Sequence, residues 1–191
     1  MNAPLVLGHP QAVKLTVDMY HQLDGSGAFA AYGRTELVDG TVYAVSPVHR
    51  PHGYVRDELA YRLRRALEAL GSAYSVATET SVNLGGTSEP LPDIIVTNAR
   101  RGEGAIPVGS VALLIEVSTN TLAFDLGQKA ELYAGAGVPE YWVIDVEGKR
   151  ALLHMNPGAD DYAEQIDVPF GEALKAAMID GLEVETTGLT V

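Results

Sequence analysis

The segment Val111-Ala-Leu-Leu-Ile-Glu-Val-Ser118 constrains this chain more than any other. It is apolar at both odd and even positions, so as a strand it has no face to give to water. Such a strand belongs inside a sheet that is covered on both sides. It is interrupted by Glu116 and is far too short to span a bilayer. The covers are visible elsewhere in the chain. Val55, Leu59, Leu63, Ala66, Leu67 and Leu70 recur at helical spacing after Pro51, with Gly71 as a stop. A second helix is predicted over residues 125–136, with Asp125 as N-cap, Gln128 at the capping-box position and Gly137 at its end.

The remaining elements follow from shorter patterns. Residues 16–23 read as a short helix capped by Thr16, and residues 25–33 as a loop. Residues 36–45 read as a hairpin turning on Asp39-Gly40. Strands are expected over residues 74–84, 91–97 and 141–146. Residues 150–155 and 162–168 suggest a second hairpin, and residues 181–191 a short edge strand. The order gives an α/β fold: a central mixed sheet flanked by helices, with an N-terminal hairpin and a C-terminal β extension. At 191 residues and 47% hydrophobic content the chain is expected to form one domain with a substantial core.

Composition removes several chemistries. There is no cysteine, which excludes disulfides, thiolate metal sites and a Cys nucleophile and fits a reducing cytoplasm. Residues 1–15 lack the basic start and apolar run of a signal peptide, so a soluble cytoplasmic protein is expected, with no membrane partner. No P-loop, Rossmann glycine pattern or Gly-x-Ser-x-Gly elbow occurs. The formal charge is −12, of which −7 falls in residues 157–191. Five arginines between Arg50 and Arg65 leave room for a local basic surface but not for a broad one.

Three residues stand out chemically. Glu116 interrupts a stretch that should be interior, and an ionised carboxylate there needs an ionic partner, a metal, or a position at the sheet end that reaches water. Asp93 follows Pro92 and opens the apolar run Ile94-Ile95-Val96; alone it reads as a turn residue. Together, two acids on neighbouring strands can be brought to one point on a sheet, and oxygen ligands of this kind suit Mg²⁺ or Mn²⁺. Lys129 shares a helix face with Leu126 and Tyr133. It either meets an anion there or packs its stem and sends its head to water. His52, at a helix start, is open to phosphate contact or capping. Glu79 is open to facing the site or forming an ion pair. Arg56, Arg62, Arg64 and Arg65 read first as a solvated face, and Tyr133, Tyr141 and Trp142 as core.

Pro92-Asp93, then 22 residues, then Glu116-Val-Ser118 resembles the signature of the PD-(D/E)xK nucleases, with Ser118 where the usual lysine stands. More specifically, the chain resembles the bacterial Uma-two family of restriction-endonuclease-like proteins. The matching stretches are Glu36-Leu-Val-Asp-Gly, Pro51-His52, Asp125-Leu-Gly-Gln-Lys129-Ala-Glu-Leu-Tyr133 and Gly137-Val-Pro-Glu-Tyr-Trp-Val-Ile-Asp145.

The resemblance implies a restriction-endonuclease-like fold with a core over about residues 34–155, and a Mg²⁺- or Mn²⁺-dependent endonuclease acting on DNA. It implies Asp93, Glu116 and the Val117 carbonyl as metal ligands, and Lys129 in place of the missing lysine. Glu36 matches the family's upstream acid, either completing the metal shell or tying down the hairpin. A homodimer is expected for cutting two strands. The alternative is a catalytically silent module that keeps the nuclease fold, which the acidic balance and Ser118 favour.

Overall fold

The computed structural model describes residues 11–45 and 49–189. The first ten residues of the stretch read above for a leader lie outside these, as do the last two of the expected C-terminal strand. Among the described residues no helix is long and apolar enough to cross a membrane.

Helix α1 (Val17–Gly25) begins at Thr16, whose side chain accepts the Met19 amide at 3.2 Å. Strands β1 (Thr35–Val38) and β2 (Thr41–Ala44) form the expected hairpin. Both turn residues take left-handed backbone, Asp39 at φ 47° and Gly40 at φ 73°, as a tight two-residue hairpin requires. Gly40 is needed for a second reason, since a Cβ there would clash with the Lys14 Cβ.

Helix α2 (Arg50–Ala69) follows, then β3 (Ser75–Thr78), β4 (Val82–Asn83), β5 (Ile94–Thr97), β6 (Ile106–Pro107) and β7 (Val111–Ser118). A helical run, α3 (Leu122–Phe124), a π-turn over Asp125–Lys129 and α4 (Ala130–Gly135), leads to β8 (Glu140–Asp145). Strands β9 (Arg150–Pro157), β10 (Tyr162–Pro169), β11 (Ala173–Lys175) and β12 (Glu183–Glu185) complete the chain.

The central sheet has six strands in the order β10-β9-β8-β7-β5-β3. It is mixed: β7 and β8 are parallel, and the helical run supplies the crossover that parallel pairing demands. All eight residues of β7 are buried, as its two-sided apolarity requires. Alternation then divides its side chains. Leu113, Ile115 and Val117 pack with Val55, Leu59, Leu63 and Leu67 of α2. Leu114 packs with Ala130, Tyr133 and Ala134 of α4. Glu116 shares the parity of Leu114, so the pleat sends it toward α4.

The structure departs from the sequence reading in four places. The strand expected over residues 74–84 breaks at Glu79, whose φ is +49°. β3 stays on the central sheet and β4 leaves to pair with β6. The second helix starts at Leu122, so Asp125 lies inside the helical run and is no N-cap. Leu70 ends α2 exposed, outside the core stripe. The C-terminal strand does not edge the central sheet but pairs with β11 in a small sheet of its own. That sheet still closes the α2 face, because Leu174, Leu182, Val184 and Leu189 are buried there.

His154 on β9 is 4% exposed, lies against the Tyr141 and Tyr162 rings, and leaves its Nδ1 without a hydrogen-bond partner. Burial holds its imidazole below the usual histidine range. The unfolded chain therefore takes up a proton that the folded chain refuses. The stability tied to neutral His154 is fully present above about pH 6.5 and is lost as the pH falls below it. Urea denaturation at about pH 7.5 and about pH 5.5 should show the parent losing more stability than His154→Phe. Equal losses would contradict this assignment.

Candidate active site

The register of β5 on β7 places the two strand acids. Ile94 faces Ile115 and Ile95 faces Leu114. The next step along this antiparallel ladder sets Asp93 opposite Glu116, both on the α4 side of the sheet. Pro92 and the chain before it leave the ladder there, and the Asp93 carboxylate takes the place of a backbone partner: Oδ2 accepts the Val117 amide at 2.8 Å. A strand residue sends its N–H and C=O to the same edge, so the Val117 carbonyl faces the side of Asp93 as well.

The helical run brings the cation. Lys129 is the last residue of the π-turn, a wide turn of the kind that recurs at functional sites. Its ammonium lies 2.9 Å from Glu116 Oε1 and 3.2 Å from Glu36 Oε2. One turn further on, the Tyr133 hydroxyl donates to the same Glu116 oxygen at 2.9 Å. Glu36 reaches this point because β1 bridges the segment before Asp93, with Leu37 and Glu89 exchanging backbone bonds. Glu36 Oε2 also accepts the Leu91 amide at 3.0 Å. Asp93, Glu116, Lys129 and Glu36 thus meet in one place.

Several neighbours carry contacts the sequence reading left open or did not assign. His52 Nε2 lies 2.9 Å from Asp93 Oδ1, so it does not cap α2. Asp125 is buried, and its Oδ2 accepts the Thr121 hydroxyl at 2.6 Å. Ser118, where the family pattern has lysine, is buried with its hydroxyl 3.3 Å from Thr121 Oγ1. Glu79 is paired with Arg56 and with Arg34, the latter at 3.2 Å. Arg56 is accordingly not part of a solvated face; its side chain is 13% exposed. Arg62 bonds Glu58 and the carbonyls of Glu185 and Thr187. Tyr141 and Trp142 are core, as read from the sequence. Tyr133 is core too, but its hydroxyl belongs to the site. Nothing in an apolar helical stripe signals a phenol placed for a hydrogen bond seventeen residues upstream, at Glu116.

Glu36, His52, Asp93, Glu116, Asp125 and Lys129 line a cavity of about 320 Å³ with Tyr43, Val45, Leu91, Thr121 and Phe124. Its electrostatics are crowded. Burial pushes the Glu116 carboxyl well above the usual range; Lys129 pulls it back, while Asp93, Asp125 and Glu36 raise it further. Burial also raises Asp125, against the pull of Thr121 and Lys129. For Lys129, burial opposes the charge, but Glu116, Glu36 and Asp125 outweigh it and hold the ammonium above the ordinary lysine range. Lys129 is therefore charged at neutral pH.

Among the described residues, no group of three or more His, Cys, Asp or Glu side chains could by itself hold a metal ion. Glu36 is directed at Lys129 and Leu91, and Asp125 at Thr121. What the pocket offers is two carboxylates and a main-chain carbonyl, in a setting where acids outnumber the single lysine. Such an all-oxygen set with few protein ligands suits Mg²⁺, which keeps several of its waters.

A mixed sheet with a crossover helix, two facing strand acids and a lysine beneath them defines a protein of the restriction-endonuclease-like class. The chain belongs to the Uma2 family: the family model, described as "Putative restriction endonuclease", matches residues 17–191. The fold is similar to the crystal structure of a "putative nuclease belonging to DUF820" from Anabaena variabilis, with a TM-score of 0.66 at 15% identity over 92% of this chain and 97% of that one. No curated protein matches this chain.

Proposed function

We propose that the protein is a Mg²⁺- or Mn²⁺-dependent endonuclease that hydrolyses phosphodiester bonds in DNA. The observation that carries this reading is the meeting of Asp93 and Glu116 in facing register, with the Lys129 ammonium 2.9 Å from Glu116. Family membership supports it.

Asp93, Glu116 and the Val117 carbonyl are the groups that would hold the ion. When bound, a divalent ion polarises a phosphoryl oxygen and makes its bound water more acidic. The chain's own groups do the rest. Lys129 presents a fixed positive charge where negative charge develops on the phosphate, and costs no reorganisation at that moment. Tyr133 and Lys129 hold one oxygen of Glu116, which fixes the carboxylate's orientation. His52 and the Val117 amide do the same for Asp93. Glu36 is assigned to holding Lys129 and the hairpin together, with its Oε2 shared by the Leu91 amide and the ammonium. Cutting both strands of a duplex would take two copies of this site, which a homodimer supplies.

The second reading, a binding module without turnover, draws on the net charge of −12. One pair of variants separates the two. Asp93→Asn and Glu116→Gln preserve volume and remove a charged ligand each. Calorimetry should show Mn²⁺ binding to the parent and a loss of at least about tenfold in each variant. Nicking of circular DNA with Mg²⁺ should fall by about 100-fold or more in both. Metal binding unchanged in the variants would refute the metal site; metal binding without cleavage of either double- or single-stranded circular DNA would favour the silent module.

A further inference from the structure

We propose that the strand this site takes is unpaired, with one base lodged against the Tyr43–Phe124 wall of the cavity; this rests on the nuclease reading above and names its substrate class. The first observation is depth. The side chains of Glu116, Lys129 and Asp93 are only 6%, 7% and 15% exposed. They form the floor of the cavity rather than a ridge or shallow cleft. In a duplex the phosphates run along a stiff rod whose bases are stacked inside. Bringing one phosphate to such a floor requires its nucleotide to leave the stack, which an unpaired strand does at least cost.

The second observation is size. About 320 Å³ is at the low end for small-molecule pockets, room for a group of roughly one nucleotide.

The third is the wall itself. The Tyr43 and Phe124 rings lie 5.1 Å apart at 49°, and both line the cavity. Phe124 also lies under the Lys129 ammonium, 5.8 Å from the ring centroid. Tyr43 comes from the hairpin and Phe124 from the start of the helical run, and a hydrogen bond of 3.3 Å from the Tyr43 hydroxyl to Gln128 links the two elements. An aromatic wall beside the reacting groups is what a splayed base stacks on, and it is tolerant of base identity.

Charge points the same way. Duplex binding is driven largely by phosphate neutralisation over many contacts. This chain is strongly acidic, and the one arginine lining the cavity, Arg34, is already paired with Glu79, which Arg56 also holds. Stacking, not a basic track, is the attraction the site offers.

The test compares one labelled oligonucleotide single-stranded, fully paired, and paired except for an internal bubble, with the full chain and Mg²⁺. The single strand and the bubble should be cut at least about tenfold faster than the duplex, and Phe124→Ala should raise KM for the single strand by about tenfold. Tyr43→Ala serves as a second variant if the first does not fold, and Phe124→Tyr should restore the parent KM. Duplex cut as fast as the single strand would overturn this inference while leaving the nuclease reading intact. If nothing is cut, fluorescence anisotropy with the same oligonucleotides decides: binding that favours the single strand and weakens in Phe124→Ala supports the inference, and equal or absent binding overturns it. Absence of Mn²⁺ binding by the parent would instead count against the nuclease reading.

Discussion

Lys129→Met should cost the fold about 3–5 kcal/mol, measured by urea denaturation near neutral pH. The side chain lengths match, so the loss is one of charge. Lys129 is 7% exposed and answers two buried carboxylates, Glu116 at 2.9 Å and Glu36 at 3.2 Å. Without it both acids remain in a low-dielectric pocket beside Asp93 and Asp125. The sign of the pH dependence follows. The lysine pKa is raised, so its contribution is fully present below its ordinary value, near pH 10.5, and is lost only as the pH climbs through the higher folded value. Across the neutral range the parent feels no change from it. In the variant, Glu116 loses the charge that lowers its pKa. A carboxyl raised on folding costs stability as the pH rises from its unfolded value toward its folded one. Glu116 is already raised in the parent, so the deficit of Lys129→Met should grow with rising pH only above the parent's own Glu116 value. Adding Glu116→Gln should recover part of it, because the two residues share one interaction. A deficit below about 1 kcal/mol, flat with pH, would mean that water or a rearranged chain serves these acids instead.

Glu140→Ala should be the largest loss away from the site, about 2–4 kcal/mol. Glu140 is fully buried on β8, although it stands in the family block that also carries Tyr141 and Trp142. One oxygen accepts the Trp142 indole N–H at 2.7 Å; the other accepts the backbone amides of Ala177 and Met178 at 2.9 and 3.1 Å. Burial raises its pKa, and these three donors pull it back. The side chain thus fastens the C-terminal segment to the middle of the sheet. Truncating it strands the indole donor in the core, while the two amides, on residues exposed at the surface, recover water. Hydrogen exchange should quicken over residues 173–185 more than elsewhere, and Trp142 fluorescence should shift. Unchanged exchange in that segment would show that the apolar contacts of Leu174, Leu182 and Val184 hold it alone.

Where a signal was local, the sequence was readable. The two-sided apolarity of residues 111–118 located the central strand and made Glu116 conspicuous within it. Asp39-Gly40 located the hairpin, and the stripe from Val55 to Leu67 the long helix. What failed depended on contacts remote in sequence or on unusual backbone. A glutamate at positive φ broke a strand whose composition reads as continuous, and its carboxylate is held by arginines 23 and 45 positions upstream, Arg56 and Arg34. Asp125 looks like an N-cap because it precedes an apolar-periodic stretch. The helical run instead starts earlier and carries a π-turn, which lets Asp125 and Lys129 both turn inward. Leu70 fits the helical period but falls just past the last turn, where the packed surface ends. The contact of His52 with Asp93 spans 41 positions and has no periodic signature at all.

The facing register of β5 and β7 has a consequence for how such chains vary. The 22 residues between Asp93 and Glu116 include a surface excursion from Asn98 to Ala105, most of which is exposed. Lengthening or shortening that excursion leaves the ladder pairs from Ile94 to Val96 untouched, and with them the opposition of the two acids. Slipping the ladder by a single position, by contrast, would turn one carboxylate to the far side of the sheet. Sequence distance between the acids is therefore free to drift, whereas their rank along the paired strands is not.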